Sequence, residues 1–290
     1  MSGAREVILE SGIETGRTPP EFRRRFSRLG RSDQAAIGAF VLLLLIAFIG
    51  PMLTTTSPTI PVGAPFTPPG DGFLFGTDEL GNDIAVRILH GARQSFLGAF
   101  AVTLSGVLIG TAVGLIAGAS RGWVDTVLMR TTDAFLALPA PVLALAIAAA
   151  LGRSYTNTLI AVAAVFWALY ARIVRAEVRA FSSRPYIEAA RLAGVPAHRL
   201  WIKHLLPGAV PVIIVAASLD IGGLILLVAG LSFLGLGAPQ PAPELGAMVA
   251  QGLPFILSSA WVALVPALAI FVIALVCNLA GDAVRDMLEE

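Results

Sequence analysis

Side chains able to do chemistry are sparse in this sequence and fall in three places. Glu188 to Pro207, EAARLAGVPAHRLWIKHLLP, is a charged, mainly basic stretch set between long apolar runs. Asp71, Asp78, Glu79, Asp83 and His90 gather in a second stretch, and Asp220 stands alone inside an apolar one. The acidic group invites a metal reading, but its spacing matches neither a calcium loop nor a zinc pattern, so no metal is expected. No GxxxxGK[ST] phosphate loop is present, and the glycines sit inside apolar segments rather than between a strand and a helix. The chain is therefore expected to bind no nucleotide or other cofactor and to carry no catalytic residue. Asp220 is costly if isolated in hydrocarbon, so it must face a cavity, pair, or be protonated. A substrate path and a contact with a second subunit are both open to it.

The basic stretch reads as two short helices. Tyr186 to Ala193 is good helix sequence, Gly194 can take the left-handed conformation that closes a helix, and Pro196 suits the first turn of the next. Pro207 should stop that second helix and return the chain to the bilayer. A compact hairpin over 186–207, held between two spans, presents a docking surface to something in the water.

Composition places these groups in a membrane protein. Hydrophobic residues are 56% and charged residues 13% of 290, and the mean hydropathy is +0.82, more than a soluble domain of this size tolerates. Charge-free windows run over 34–70, 94–120, 134–152, 154–171, 221–243 and 245–281. A spanning helix needs about 20 apolar residues. Six spans are expected near 35–53, 95–119, 133–151, 157–175, 210–235 and 260–280, giving an all-α integral membrane fold. With the N-terminus inside, segments 1–33, 120–132, 172–209 and 281–290 hold seven, two, seven and one Lys or Arg, whereas the outer segments hold only Arg87, Arg93 and Arg153. The positive-inside rule puts both termini and the hairpin in the cytoplasm. A cleaved signal peptide fits the first span poorly, because a long polar tail precedes it and no clear small-x-small site follows. That tail, with Arg23, Arg24, Arg25, Arg28 and Arg31, reads as a topogenic flank meeting anionic lipid headgroups, with residues 1–20 disordered. Cys277 is the sole cysteine, so no intrachain disulfide is possible and a buried packing role is expected.

Outside, Pro51, Pro58, Pro61, Pro65, Pro68 and Pro69 predict an extended strap. Asn82 or Asp83 can cap a short helix at the membrane surface in which Ile84, Ile88 and Leu89 share a face. Gly106, Gly110, Gly114 and Gly118 recur every fourth residue and let another helix approach closely. Pro139, Pro141 and Pro266 lie in or at the ends of spans, where they can kink them.

In the basic hairpin, Glu188-Ala189-Ala190 is followed by Gly194 after three residues and by Leu206-Pro207 after eleven more. This resembles the cytoplasmic EAA loop of ABC importer permeases. Further signatures follow in order: Gly76-Thr77-Asp78 with Gly81 and Asp83, Gly91-Ala92-Arg93 with Ser95, Asp133 with Pro139, and Ala171-Arg172 with Val174-Arg175. His204 to Pro207, the run LSFLGLG at 231–237, and Gly281-Asp282 with Arg285-Asp286 complete the set. From about Arg28 to Leu288 the chain resembles the C-type permease subunit of dipeptide, oligopeptide and nickel importers. It departs from that pattern at Asn82, where Arg is usual, at Gly208 and Leu245, where Asn and Trp are frequent, and at Val228, where Glu is frequent.

The resemblance implies the type I ABC importer permease fold, with a basic tail (1–33), a first span and outer strap (34–94), a core permease domain (95–282) and a C-terminal tail (283–290) in a bacterial plasma membrane. It implies that Glu188, Ala189, Ala190, Gly194, Arg199, Leu206 and Pro207 couple to ATPase chains, which use ATP and Mg. The partners implied are a homologous B-type permease, one or two cytoplasmic ATPase subunits and an extracytoplasmic substrate-binding protein. Peptide is the expected cargo, with nickel or another small solute as the alternative. A secondary transporter would want several intramembrane ionisable groups or an inverted repeat, and neither is seen. A helix-turn-helix reading of the hairpin leaves little reach to a duplex, so no nucleic acid is expected.

Overall fold

The computed structural model describes residues 30–120 and 122–289. The arginines at 23, 24, 25 and 28 and the disorder expected for 1–20 lie outside them. The described residues fold into helices, with a lone bridge pairing Thr77 and Asp83. In chain order they are α1 (Arg31–Leu53), α2 (Ile84–Ala119), α3 (Trp123–Leu136), α4 (Ala140–Leu151), α5 (Tyr155–Ser182), α6 (Pro185–Leu192), α7 (Ala197–Leu200), α8 (Leu206–Leu231), α9 (Leu245–Gly252) and α10 (Trp261–Glu289). Five helical stretches are long and apolar enough to cross a membrane, and a sixth crossing is possible if the bent pair α3 and α4 counts as one.

That bend corrects the expected third span. Rather than one helix over 133–151, α3 and α4 meet at 86° around Pro139, which stands immediately before α4. The residue before a proline is driven out of helical conformation and proline itself has no N–H to give, so the chain turns there. The outer helix also differs from expectation. Asp83 does cap it, accepting from the Ala85 N–H at 2.8 Å, but the helix runs without a break into the second span for 36 residues. Ile84 to Leu89 are its first turns, not a separate surface helix. At the other end α10 continues to Glu289, so the expected C-terminal tail is mostly helix.

The glycine stripe of α2 meets this chain's own α5. A Cβ on Gly110 would lie 2.5 Å from the Trp167 carbonyl oxygen, and one on Gly114 would lie 2.6 Å from that of Ala171. Only hydrogen at these positions lets the backbones approach this closely, and among the described residues α2 with α5 forms the most extensive helix pair. α8 and α10 approach similarly at Gly222, beside Asn278, and at Gly281, beside the Ser218 carbonyl. Cys277 is buried in the core between these elements. α1 lies at the periphery, touching α2 through Phe40 on Phe96 with ring centroids 6.3 Å apart.

α9 was not anticipated. This short apolar helix is wedged against α2, α8 and α10, with Leu245 fully buried beneath Gly91. Glu244 caps it by accepting from Gly246 N–H (3.2 Å) and Ala247 N–H (2.9 Å). Burial pushes the Glu244 carboxyl above its ordinary range, against the opposing pull of the Ala247 N–H.

Candidate functional site

The inner hairpin is built as its residue types require. Pro185 occupies the first turn of α6, where a missing N–H costs nothing. Gly194, at φ +79°, closes the helix: its N–H bonds the Arg191 carbonyl at 3.0 Å and the Val195 N–H bonds that of Ala190 at 3.1 Å. This pair of bonds is a Schellman closure, which satisfies carbonyls the helix end would otherwise leave open. Pro196 stands just before α7 rather than inside its first turn.

Pro207 does not stop the second helix. The helical path runs through Pro207 without a break, from Ala197 to Gly235. The reason is the wide π-wound turn at Trp201–Leu205, which closes with the Leu206 N–H on the Trp201 carbonyl. A proline ring clashes with the carbonyl four residues back and lacks the N–H that would bond it. One wide turn moves that carbonyl out of the way, so Pro207 sits without breakage in the first turn of α8.

The hairpin has two faces. Ile187, Leu200, Leu205 and Ala209 are buried in a small inner cluster with Val174, Val178 and Ile213 from α5 and α8. The opposite face exposes Glu188, Ala189, Gly194, Arg199 and Pro207, while Ala190 and Leu206 are half-buried. It also exposes apolar groups: Leu192 is 90% exposed and Ile202 62%. Exposed aliphatic side chains set among charges mark a contact surface. Glu188 and Arg191 line a polar cavity of about 410 Å³ together with Arg179, Ser182 and Ser183.

Ion pairs fix the ground under the hairpin. Asp125 of α3 takes Arg175 in a two-point pair (2.5 and 2.9 Å) and also Arg179, both from the inner end of α5. Asp133 pairs with Arg172 at 2.6 Å. Asp125 and Arg179 were not singled out from sequence; the only signal was their position at the inner ends of apolar runs.

The outer motif forms a staple. Asp78 accepts from the N–H groups of Leu80 (2.9 Å) and Asn82 (2.8 Å) and from the Asn82 side-chain amide, and it faces Arg87 at 3.4 Å. Thr77 donates its hydroxyl to the Ala64 carbonyl at 2.7 Å, and Gly76 and Gly81 both take positive φ in close contact with the strap. Arg87 is 1% exposed and also donates to the carbonyls of Pro58 and Pro241, both at 3.3 Å. Gly76, Thr77, Asp78, Gly81 and Asp83 thus fasten the proline-rich strap over the outer end of α2. Among the described residues no three His, Cys, Asp or Glu side chains converge as a metal site would need.

Asp220 is paired inside the chain: it accepts from the Tyr170 hydroxyl at 2.7 Å, tying α8 to α5. Of the three possibilities its isolation left open, pairing is the one observed, and Tyr170 was the residue that sequence reading missed. The hairpin, the staple and Asp220 are three separate places, not one constellation.

Comparison with known proteins follows the same lines. Residues 110–290 match the family described as binding-protein-dependent transport system inner membrane component. The probable D,D-dipeptide transport system permease protein DdpC of Escherichia coli (strain K12) is 40% identical over 250 residues, covering 86% of this chain and 84% of that one. The dipeptide transport system permease protein DppC of Alkalihalophilus pseudofirmus is 39% identical over 95% of this chain and 94% of its own length. The glutathione transport system permease protein GsiD of Pectobacterium atrosepticum is 40% identical over 94% and 91%. Among solved structures, a chain of the MetNI methionine ABC transporter in an inward-facing conformation superimposes with a TM-score of 0.58 at 19% identity, covering 70% of this chain and 97% of that one, a likeness of fold.

Proposed function

Because the chain belongs to the binding-protein-dependent transport system inner membrane component family, we propose that it is one permease subunit of an ATP-driven importer of peptides. It supplies half of a translocation path through the plasma membrane, opposite a homologous B-type permease. Cytoplasmic ATPase chains, with their ATP and Mg, dock on α6 and α7, and an extracytoplasmic binding protein delivers cargo to the outer end. The inside orientation of the termini rests on the Lys and Arg balance.

One observation carries the coupling part. The hairpin is seated firmly on α5 and α8 by its buried face, while Leu192, Ile202 and Arg199 are offered to the water. A surface that holds its shape and exposes apolar groups suits a protein partner whose movement must be transmitted rather than absorbed. Peptide is favoured over nickel because relatives at about 40% identity over most of the chain are named for dipeptides and glutathione.

The test is uptake into proteoliposomes holding the full complex, with the binding protein outside and ATP inside. Labelled dipeptides should accumulate and nickel ions should not. ATP-dependent accumulation of nickel without peptide would refute the cargo assignment. Uptake and ATP hydrolysis unaffected by removal of the 186–207 side chains that face the water would refute the coupling assignment.

A further inference from the structure

We infer that a cavity at the outer end of α8 is a subsite for the free carboxylate of a peptide in transit, with Arg153 as its cation; this rests on the peptide-import reading above. The cavity measures about 290 Å³ and is lined by Arg153, Ser232, Gly235, Gln240, Ala247 and Gln251, among other small residues. Arg153 is the one charged group in that lining. It lies in the short turn between α4 and α5 and is exposed, and among the described residues no acid lies within ion-pair distance of it. The carboxamide of Gln251 offers a donor and an acceptor. Gln240 has spent its N–H on Glu79 at 2.7 Å, which leaves its carbonyl free.

The backbone is also arranged for a ligand. At Ser232–Leu236 the helix changes to π winding and breaks at Gly235, φ +87°. Broken and π-wound helix ends expose backbone polar groups and recur at binding sites in membrane transporters.

Size and charge select the ligand class. Sites for small molecules occupy about 300–1,000 Å³, so this one takes the end of a peptide rather than a long one. Every unmodified peptide has a terminal carboxylate and backbone amides whatever its side chains, so one arginine with two carboxamides recognises the class and not the sequence.

The experiment uses the assembled transporter in proteoliposomes with Arg153→Gln, Arg153→Lys and Gln251→Leu. A labelled dipeptide and its C-terminal amide are each supplied on saturated binding protein, and docking of that protein is measured by co-sedimentation. The subsite requires Arg153→Gln to lower free-acid uptake by about 10- to 100-fold, the loss of one charge-assisted pair. Arg153→Lys should keep most of it, and Gln251→Leu should show a smaller loss. Amide uptake should be unchanged by Arg153→Gln, and so should docking. Equal losses for acid and amide, or weakened docking, would assign Arg153 to the binding protein and overturn the subsite. Undiminished free-acid uptake in Arg153→Gln would overturn it too, and would leave peptide import standing; absent peptide uptake in the wild type would remove both.

Discussion

Replacing Gly110 by alanine puts the close packing of α2 on α5 to a quantitative test. The new methyl would lie 2.5 Å from the Trp167 carbonyl oxygen, 2.5 Å from the Tyr170 Cβ and 2.9 Å from the Ala171 nitrogen. Ordinary contact begins near 3.4 Å, and none of these atoms can swing aside. The helices must part by roughly 1 Å, and overpacking of this kind costs about 1–3 kcal/mol. Immobile neighbours on all sides argue for the upper end, ~3 kcal/mol, from which alanine's better helix propensity returns about 1. The net loss of about 2 kcal/mol should lower the unfolding midpoint by about 4–8 °C, taking roughly 2–4 °C per kcal/mol. Gly223 is the control, because it has nothing within 4 Å. Gly223→Ala should gain only the propensity, raising the midpoint by about 2–4 °C. The assay is thermal unfolding of the purified chain in detergent, followed by tryptophan fluorescence. Midpoints for Gly110→Ala within about 1 °C of wild type, or moving together with those of Gly223→Ala, would refute the reasoning.

Gly194→Pro should abolish substrate-stimulated ATP hydrolysis by the complex while the chain still inserts. Proline holds φ near about −65° where the turn needs a positive value, and it removes the 3.0 Å bond to Arg191; normal stimulated hydrolysis would contradict the docking role. Tyr170→Phe strips the Asp220 carboxylate of its hydroxyl donor and should cost about 1–3 kcal/mol of stability, whereas Asp220→Asn, which keeps an acceptor for that hydroxyl, should cost less; wild-type stability of Tyr170→Phe would mean the bond contributes nothing. In a Cys277→Ala background, a cysteine at Ser183 should react with an impermeant thiol reagent only from the cytoplasmic side and one at Thr67 only from outside. Labelling of both from one side would overturn the orientation.

What could be read in advance depended on whether it was carried by hydrophobicity and spacing or by three-dimensional contact. Five of the six expected spans were legible because an apolar run of about 20 residues suits a helix that crosses the bilayer, whereas the third was broken by the turn at Pro139. The hairpin turn was legible because Gly194 supplies a conformation other residues resist. Pro207 was misread for an instructive reason: proline's effect on a helix depends on the winding before it, and nothing in WIKHL announces a π turn. α9 escaped because eight apolar residues cannot be told from the end of a loop by periodicity. Asp220 could be flagged as a problem but not solved, since its partner Tyr170 is fifty positions away. The same holds for Arg87, whose burial and three partners depend on how the strap folds back.

The unbroken helical path from Ala197 to the break at Gly235 bears directly on how coupling would work. The helical run over 197–234 makes a rod of about 57 Å at 1.5 Å per residue, with the hairpin at one end and the Arg153 cavity at the other. A flexible link after Leu206 would have absorbed a push from the ATPase; a continuous rod passes it on. The frame it moves against is α2 with α5, whose backbones touch along the glycine stripe and cannot slide without clashing. Rod and frame pack against each other and are joined near the middle by the Tyr170 hydroxyl donating to Asp220 at 2.7 Å, and just past the break by the Thr158 hydroxyl donating to the Leu236 carbonyl at 2.7 Å. A slide of one residue rise, about 1.5 Å, would stretch a 2.7 Å bond between the helices to only about 3.1 Å, so it takes a larger slide or a rotation of the rod to break it. On the coupling reading, then, Asp220 need not touch cargo to matter for transport. Its bond to Tyr170 ties the rod to the frame, and the rod carries wide π-wound turns near both ends, Trp201–Leu205 and Ser232–Leu236.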